Sequence, residues 1–181
     1  MSGDGGRTGF GFLTGPGCLT GPGRVVRPAD VRTADLGSFG VRFLLGAAET
    51  NGALAVVEHP VPPRTLAAPL HRHTREDEVS YVVEGVMGAD LGGRVVEAPA
   101  GSLVVKPRGE WHTFWNAGDG PCRVLEILLP GGFEGLFAEI AADAEAMTGR
   151  TAAALDARYG LEVDYASVER LCRAHGLRFP T

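Results

Sequence analysis

"HRHTREDEVSYVVEG", residues 71–85, combines three groups that can bind a metal with the start of a β-strand. His71 and His73 are two positions apart, and side chains two apart on a strand point to the same face of its sheet. Both imidazoles can therefore face one point inside a barrel. Glu78 follows across a short polar turn and brings a carboxylate to the same region.

A second stretch, "GSLVVKPRGEWHTFWN", residues 101–116, supplies one more imidazole. His112 follows a turn marked by Pro107 and Gly109, and it lies near the start of another strand. Three imidazoles and one carboxylate are typical ligands of a divalent first-row transition metal. The sequence therefore predicts one metal ion but does not distinguish iron, nickel, manganese, cobalt and zinc.

Three segments of the chain differ in their residue pattern. Residues 1–23 are rich in glycine and include the near-repeat "LTGPGCLTGPG", which predicts a flexible N-terminal arm. Residues 24–130 consist of short apolar runs separated by turn residues, as in an antiparallel β-barrel or sandwich. Residues 131–181 change to helical spacing. We therefore expect an all-β domain with a C-terminal helical extension packed on it.

The helical extension begins with one apolar stripe, which we expect to pack on the outside of the barrel. The stripe is formed by Phe133, Leu136, Phe137 and Ile140. Two shorter helices are predicted at about residues 151–159 and 165–175, the second beginning after Asp164. "DLGGRVV" in the β region predicts a hairpin, because Gly92 and Gly93 can adopt the positive φ angles of a tight turn.

Composition excludes several classes of partner. With 17 Lys and Arg against 22 Asp and Glu, the chain has a net charge of −5 and no basic block, so nucleic acid is not an expected partner. The three cysteines, Cys18, Cys122 and Cys172, are too few and too scattered for a disulfide framework. No signal peptide and no run of about 20 apolar residues is present. The sequence therefore predicts a cytoplasmic protein with no membrane partner.

The two histidine-containing stretches resemble the two motifs of the cupin superfamily. The first motif, H-x-H, four residues, E, six residues, G, is matched by His71, His73, Glu78 and Gly85. The second, G, five residues, P-x-G, two residues, H, three residues, N, is matched by Gly101, Pro107, Gly109, His112 and Asn116. The resemblance implies a double-stranded β-helix, the cupin jelly-roll barrel, in residues 24–130. One departure is Thr65, where the family has a glycine.

The resemblance also implies ligands and a reaction class. By position, His71, His73, Glu78 and His112 are the expected metal ligands. The chain is most similar in pattern to bacterial single-domain cupins such as the quercetinase-like dioxygenases, in which Glu78 would also accept a proton from the substrate. A second reading is Lewis-acid chemistry without oxygen, as in polyketide cyclases, isomerases or lyases. A third is a cupin that binds a small molecule without catalysis.

Strand parity selects the expected pocket residues. Counting in twos from Glu78 turns Ser80 and Val82 inward, and counting from His112 turns Phe114 inward. Because the lining is apolar and holds no basic cluster, we expect a mostly apolar, oxygen-bearing small molecule such as an aromatic or polyketide-like enol or diketone.

Three charged residues near the motifs are expected to point away from the pocket. Glu126 is expected on the solvent face of its strand, the alternative being a pocket carboxylate that acts as a base. Glu76 is expected to face solvent, and Lys106 to lie at a turn or to point outward.

Cupin barrels commonly pair through their edges, so the resemblance implies a homodimer, with a strand around Val25 to Pro28 as the exchanged element.

Overall fold

The computed structural model describes Leu19, residues 21–143 and residues 149–180. Nearly all of the predicted arm, residues 1–23, lies outside the described residues, so its flexibility stays a prediction. The described residues form twelve strands and three α-helices. The strands are β1 (Arg32–Asp35), β2 (Gly40–Leu45), β3 (Ala55–Val61), β4 (Thr65–Leu66), β5 (Leu70–His73), β6 (Asp77–Glu84), β7 (Val86–Leu91), β8 (Arg94–Pro99), β9 (Leu103–Lys106), β10 (His112–Asn116), β11 (Cys122–Leu129) and β12 (Leu161–Asp164). The helices are α1 (Glu134–Ala142), α2 (Gly149–Tyr159) and α3 (Ser167–His175).

The strands form two antiparallel sheets that face each other. One sheet has the order β1-β2-β3-β11-β6-β9, and the other has the order β12-β5-β10-β7-β8, with β4 also paired to β10. Inward side chains alternate with outward ones along β11, as the period of two in a strand requires. Their apolar members fill the space between the sheets, among them Val57, Val82, Met87, Phe114 and Leu128. The jelly-roll prediction is confirmed.

Two turns contain glycines with positive φ angles, as the sequence predicted for the first of them. In the β7–β8 hairpin, Gly92 and Gly93 have φ angles of 61° and 87°. Gly85, between β6 and β7, has a φ of 76°, and a Cβ there would lie 2.4 Å from the carbonyl oxygen of Pro121. Only glycine fits this position without a shift of the backbone.

The apolar stripe of α1 packs against the barrel interior, not against the outside as the sequence suggested. The ring of Phe133, the residue just before α1, lies 4.2 Å, centroid to centroid, from the ring of His73 on β5. Phe137 lies 5.2 Å from His59 on β3 in the same measure. Since both histidines are buried on inner strand faces, α1 covers one end of the barrel beside them.

The rest of the C-terminal extension contains the two predicted helices and an unpredicted strand. Helices α2 and α3 confirm the regions expected at 151–159 and 165–175. Asp164 is not the N-cap of α3; Ala166 occupies that position, and the Ser167 hydroxyl donates to the Asp164 carbonyl at 2.6 Å. Strand β12 pairs with β5, placing Val163 opposite His71 and Leu161 opposite His73. The extension therefore adds a strand to the sheet that carries two histidines.

The strand expected around Val25 to Pro28 is absent. Residues 23–27 belong to no strand, and a short 3-10 helix follows at Pro28–Asp30. The first strand is β1, which pairs with β2 of the same chain because the two form a direct hairpin. The homodimer stays a prediction. In the described part of the chain, no helix is both long enough and apolar enough to cross a membrane.

Candidate metal centre

Four side chains from both sheets meet inside the barrel. His71 and His73 come from β5, His112 from the start of β10, and Glu78 from β6 on the opposite sheet. One ligand atom from each lies within 4.8 Å of the others. All four side chains are buried, with 8% exposure for His71 and 4% or less for the rest. The structure therefore brings together the four residues selected by the sequence.

Strand pairing and one tight turn hold the histidines in place. His112 lies directly opposite His71 in the β5–β10 pair. The turn before His112 is fixed to the neighbouring strand, because the Gly109 amide donates to the His73 carbonyl at 2.7 Å. Gly109 has a φ of 79°, which explains the glycine in this turn.

Hydrogen bonds set the orientation of two imidazoles. Nδ1 of His71 lies 2.8 Å from the Pro69 carbonyl oxygen, and Nδ1 of His112 lies 2.9 Å from that of Glu110. A carbonyl oxygen can only accept, so both rings carry a proton on Nδ1. Each Nε2 is then directed toward the centre of the cluster. Metal-binding histidines are commonly oriented in this way.

The imidazoles of the cluster differ in charge before a cation binds. Burial, together with the neighbouring His112 and His73, lowers the pKa of His71 well below its usual value, so that ring is neutral. Burial acts in the same direction on His73, but the charge of Glu78 outweighs it and raises the pKa of His73 to about 9. Nε2 of His73 lies 3.2 Å from a Glu78 oxygen and makes no hydrogen bond with any described residue. The residues present therefore fit a divalent ion, which would take the place of the proton on His73.

Glu76 is buried, in contrast to the solvent position expected from the sequence. Its side chain is 7% exposed, and one carboxylate oxygen lies 3.7 Å from Nδ1 of His73. The turn between β5 and β6 folds the side chain back over the histidine, which a count along an extended strand does not capture. Glu76 therefore lies on the Nδ1 side of the His73 ring, but the two atoms are too far apart for a hydrogen bond.

Lys106 and Glu126 are also buried, and both positions correct the sequence analysis. Their exposed fractions are 1% and 2%. The Lys106 ammonium is ion-paired with the Glu126 carboxylate and with Oε2 of Glu78, the latter at 2.7 Å. The Ser80 hydroxyl donates to the two Glu126 oxygens at 3.0 and 3.1 Å. The two charges can be buried because each has its partner beside it.

The network gives its two carboxylates different charge states. Burial raises the pKa of Glu126 and the charge of Glu78 adds to this, so it reaches about 7 despite the opposing effect of Lys106. For Glu78, burial has the same direction, but Lys106 and His73 outweigh it and hold its pKa well below the usual range. The pKa of Lys106 is raised because the two carboxylates outweigh its burial. Glu78 is therefore ionised, and Glu126 titrates near neutral pH.

The sequence contained one signal for Lys106 that strand counting missed. Lys106 is the only lysine among 181 residues, whereas every other basic side chain except histidine is an arginine. Glu126 gave a weaker signal, because it alternates with Val124 and Leu128, which are both buried. The apolar residues on the other face of β11 concealed this parity.

The predicted pocket residues all lie in the interior. Ser80 and Val82 are fully buried on β6, and Phe114 is buried on β10. The Lys106 ammonium lies 5.3 Å from the centroid of the Phe114 ring. Ser80 does not leave free space beside Glu126, because its hydroxyl is bonded to that carboxylate. Contact of these residues with a substrate stays a prediction.

Several solved structures share the architecture. The polyketide cyclase RemF from Streptomyces resistomycificus is 30% identical, with a TM-score of 0.51 over 60% of this chain and 80% of that one. A predicted oxalate decarboxylase from Thermotoga maritima is 23% identical, with a TM-score of 0.55 over 59% of this chain and 99% of that one. A sugar phosphate isomerase from a cupin superfamily, from Silicibacter pomeroyi, is 18% identical, with a TM-score of 0.53 over 59% and 75%. The last two support the fold alone.

Sequence comparison agrees with the structural one. No curated protein sequence is significantly similar to the chain. The family model of the Cupin domain matches residues 58–128, which include all four ligand candidates and the strands that carry them. Together with the two-sheet barrel, the buried histidine and glutamate cluster and the 30% identity to RemF over 80% of that protein, this match leads to one conclusion: the chain belongs to the cupin superfamily.

Proposed function

We propose that the protein is a metal-dependent enzyme that uses Lewis-acid chemistry on a polyketide-like enol or diketone, in a cyclisation or isomerisation. The observation that carries the proposal is the buried cluster of three histidines and Glu78, in a chain 30% identical to a polyketide cyclase over 80% of that protein. The substrate class also agrees with an interior lined mainly by apolar side chains.

The four cluster residues would hold the ion by three imidazole nitrogens and one carboxylate. A divalent metal at this point supplies a Lewis acid that polarises a substrate carbonyl and acidifies the adjacent C–H group. The surrounding chain keeps water away from the reacting carbon: Val82 and Phe114 form walls, and Phe133 covers His73. Exclusion of water strengthens every electrostatic interaction inside the site.

Glu126 is our candidate for the group that accepts the substrate proton. A base is most effective when its pKa lies near the working pH, and the pKa of Glu126 is about 7. Glu78 is a weaker base because Lys106 and His73 hold it ionised. Burial lowers the pKa of His59, the other titratable ring in the interior, to about 4, so it also binds a proton poorly. Of the groups beside the cluster, Glu126 is therefore the best suited to exchange a proton at neutral pH.

A quercetinase-like dioxygenase is the second candidate, because the same four ligands also suit iron, nickel, manganese and cobalt. That mechanism uses Glu78 as the proton acceptor. Lys106 and His73 together oppose this role, because they hold the pKa of Glu78 well below its usual range, whereas the pKa of Glu126 is raised. We therefore place the Lewis-acid reaction first.

The test begins with the metal content of protein purified without added metal or chelator. Aromatic-polyketide precursors, diketones and flavonols are then supplied while product formation and oxygen uptake are followed together. We expect about one metal per chain, and product formation from a polyketide-like substrate with no oxygen consumed. His112→Ala should lose both metal and turnover, whereas Glu126→Gln should keep the metal and lose turnover.

Three results would contradict the proposal in different ways. Oxygen uptake in proportion to substrate loss would identify a dioxygenase. Bound metal with no turnover of any candidate, but with substrate-induced changes in the metal spectrum, would identify a binding protein. Protein that cannot be loaded with any divalent metal would refute the metal centre itself.

A further inference from the structure

The single lysine of the chain lies beside the candidate metal centre, on the inner face of the barrel. Its side chain is 1% exposed and is among the largest that are fully buried. Burying an ammonium is costly, and long basic side chains usually keep their charge in water. The 16 arginines show that the chain obtains its surface charge by other means. A lysine at this one position therefore calls for a specific explanation.

Three neighbouring strands place the lysine and its two partners side by side. In the β6–β9 pair, Lys106 lies directly opposite Glu78. In the β6–β11 pair, Glu126 lies directly opposite Ser80. Because Glu78 and Ser80 are two positions apart, all four side chains point to the same inner face. The lysine ammonium thus reaches Glu126 and Oε2 of Glu78 together.

The two oxygens of Glu78 consequently have different surroundings. Oε2 contacts the Lys106 ammonium at 2.7 Å and Nε2 of His112 at 3.1 Å. Oε1 lies 3.2 Å from Nε2 of His73, a ring whose two nitrogens both lack a hydrogen bond with the described residues. An ion held by the histidines therefore finds Oε1 available and Oε2 partly occupied. A carboxylate whose second oxygen is engaged in this way binds a metal through one oxygen.

We propose that Lys106 is a positioning residue of the metal centre: by holding Oε2 of Glu78, it restricts Glu78 to one metal bond and keeps a coordination position open for an oxygen-bearing ligand. Glu126, fixed by Ser80, holds the ammonium in place and balances its charge. This inference rests on the metal centre of the proposed function and extends it to how that centre stays accessible. Without Lys106, Oε2 is free to turn toward the metal, and Glu78 can chelate it through both oxygens.

The test compares cobalt-substituted wild type with the double variant Lys106→Met/Glu126→Met, which removes the ammonium and its counter-charge together. Replacing a buried ion pair by apolar residues of similar size is often tolerated. Val104→Ala is the matched control, because Val104 lies on the same inner face of β9 and is 6% exposed, but has no charge. The readouts are the visible spectrum of bound cobalt and its titration with azide, which binds at an open position.

We expect azide to bind to wild type and to the control with the same affinity. In the double variant, azide has to displace one carboxylate oxygen, so its affinity should fall by about tenfold or more. The cobalt absorption should also weaken, since a second bond to Glu78 raises the coordination number. An unchanged cobalt spectrum and unchanged azide affinity in the double variant would overturn the inference.

A second measurement needs no variant. Because Lys106 is the only lysine, protein made with isotope-labelled lysine gives the NMR signals of one side chain. With cobalt bound, we expect the Nζ and Cε signals to show a large paramagnetic shift and the ammonium protons to exchange slowly. A sharp signal with the shift of an exposed lysine would overturn the inference even if every variant failed to fold.

The outcomes also separate this inference from the proposed function. If wild type binds no cobalt, the proposed function and the role of Lys106 are both refuted. If cobalt binds and the double variant behaves as wild type, only the role of Lys106 falls. If azide binding changes as expected but no polyketide-like substrate is turned over, the proposed function falls and the role of Lys106 stands.

Discussion

Replacement of Lys106 by methionine should destabilise the metal-free protein strongly at pH 8 and less at pH 5. The ammonium lies between Glu78 and Glu126, and none of the three side chains is more than 5% exposed. Removing one partner of a buried ion pair costs about 3–5 kcal/mol, because the other charge stays buried without compensation. For a chain of this size, that loss lowers Tm by roughly 6–20 °C.

The pH dependence follows from Glu126. Burial and the charge of Glu78 raise its pKa to about 7 even with Lys106 present, and the pKa rises further once the ammonium is gone. A carboxyl group with a raised folded-state pKa destabilises the fold as pH increases from its unfolded-state pKa to the folded-state value. At pH 5, Glu126 of the variant is protonated and neutral, so part of the cost disappears. At pH 8 the cost is larger.

Urea unfolding followed by circular dichroism, with a chelator present, measures this effect at both pH values. The double variant Lys106→Met/Glu126→Met should recover most of the stability, because it removes the uncompensated charge on Glu126. Val104→Ala controls for a change in packing on the same strand face and should show no dependence on pH. If the single variant were as stable as wild type at pH 8, or lost the same amount at both pH values, the buried network would be refuted.

Three further predictions concern the metal centre and the turns. His112→Ala should lose most of the bound metal by elemental analysis, whereas His175→Ala, which removes a ring stacked on Trp115 outside the cluster, should keep it. Metal binding at pH 7.5 should release about one proton, because the pKa of His73 is about 9 without metal and a histidine ligand has to be neutral. Calorimetry in two buffers of different ionisation enthalpy measures this proton release. For the same reason, the affinity for the metal should rise with pH up to about 9. Gly85→Ala should lower the free energy of unfolding, measured in urea, by about 2 kcal/mol more than Gly101→Ala does. Both positions have a positive φ, but only at Gly85 would the new Cβ meet backbone atoms within 4 Å. Equal losses of stability in the two variants would contradict the steric argument.

The four residues of the candidate metal centre could be predicted because the spacing around each of them, which is local in sequence, resembles the cupin motifs. His71 and His73 share a strand, and Glu78 and His112 follow turns of fixed length, so parity and motif spacing were sufficient. The hairpin at Gly92 and Gly93 was predictable for the same reason. These signals depend on neighbouring residues and need no knowledge of the tertiary structure.

The buried network could not be predicted in the same way. β11 carries apolar residues on both faces, so the alternation of Glu126 with Val124 and Leu128 does not show which face is buried. Burial of Lys106 becomes favourable only when Glu126, 20 residues away, and Glu78 are both beside it. β12 has only four residues, and its partner is the distant edge of β5. In each case the deciding interaction is between strands far apart in sequence.

The pairing of β12 with β5 also affects how the chain is made. Arg72 and Glu162, which form an ion pair across these strands, are 90 residues apart, so a nascent chain carries its histidine strand with an open edge until β12 has been synthesised. Open strand edges promote self-association between molecules. We therefore expect residues 161–164 to protect the edge of β5 once they are made, and a chain shortened before Leu161 to aggregate through the strand that holds His71 and His73.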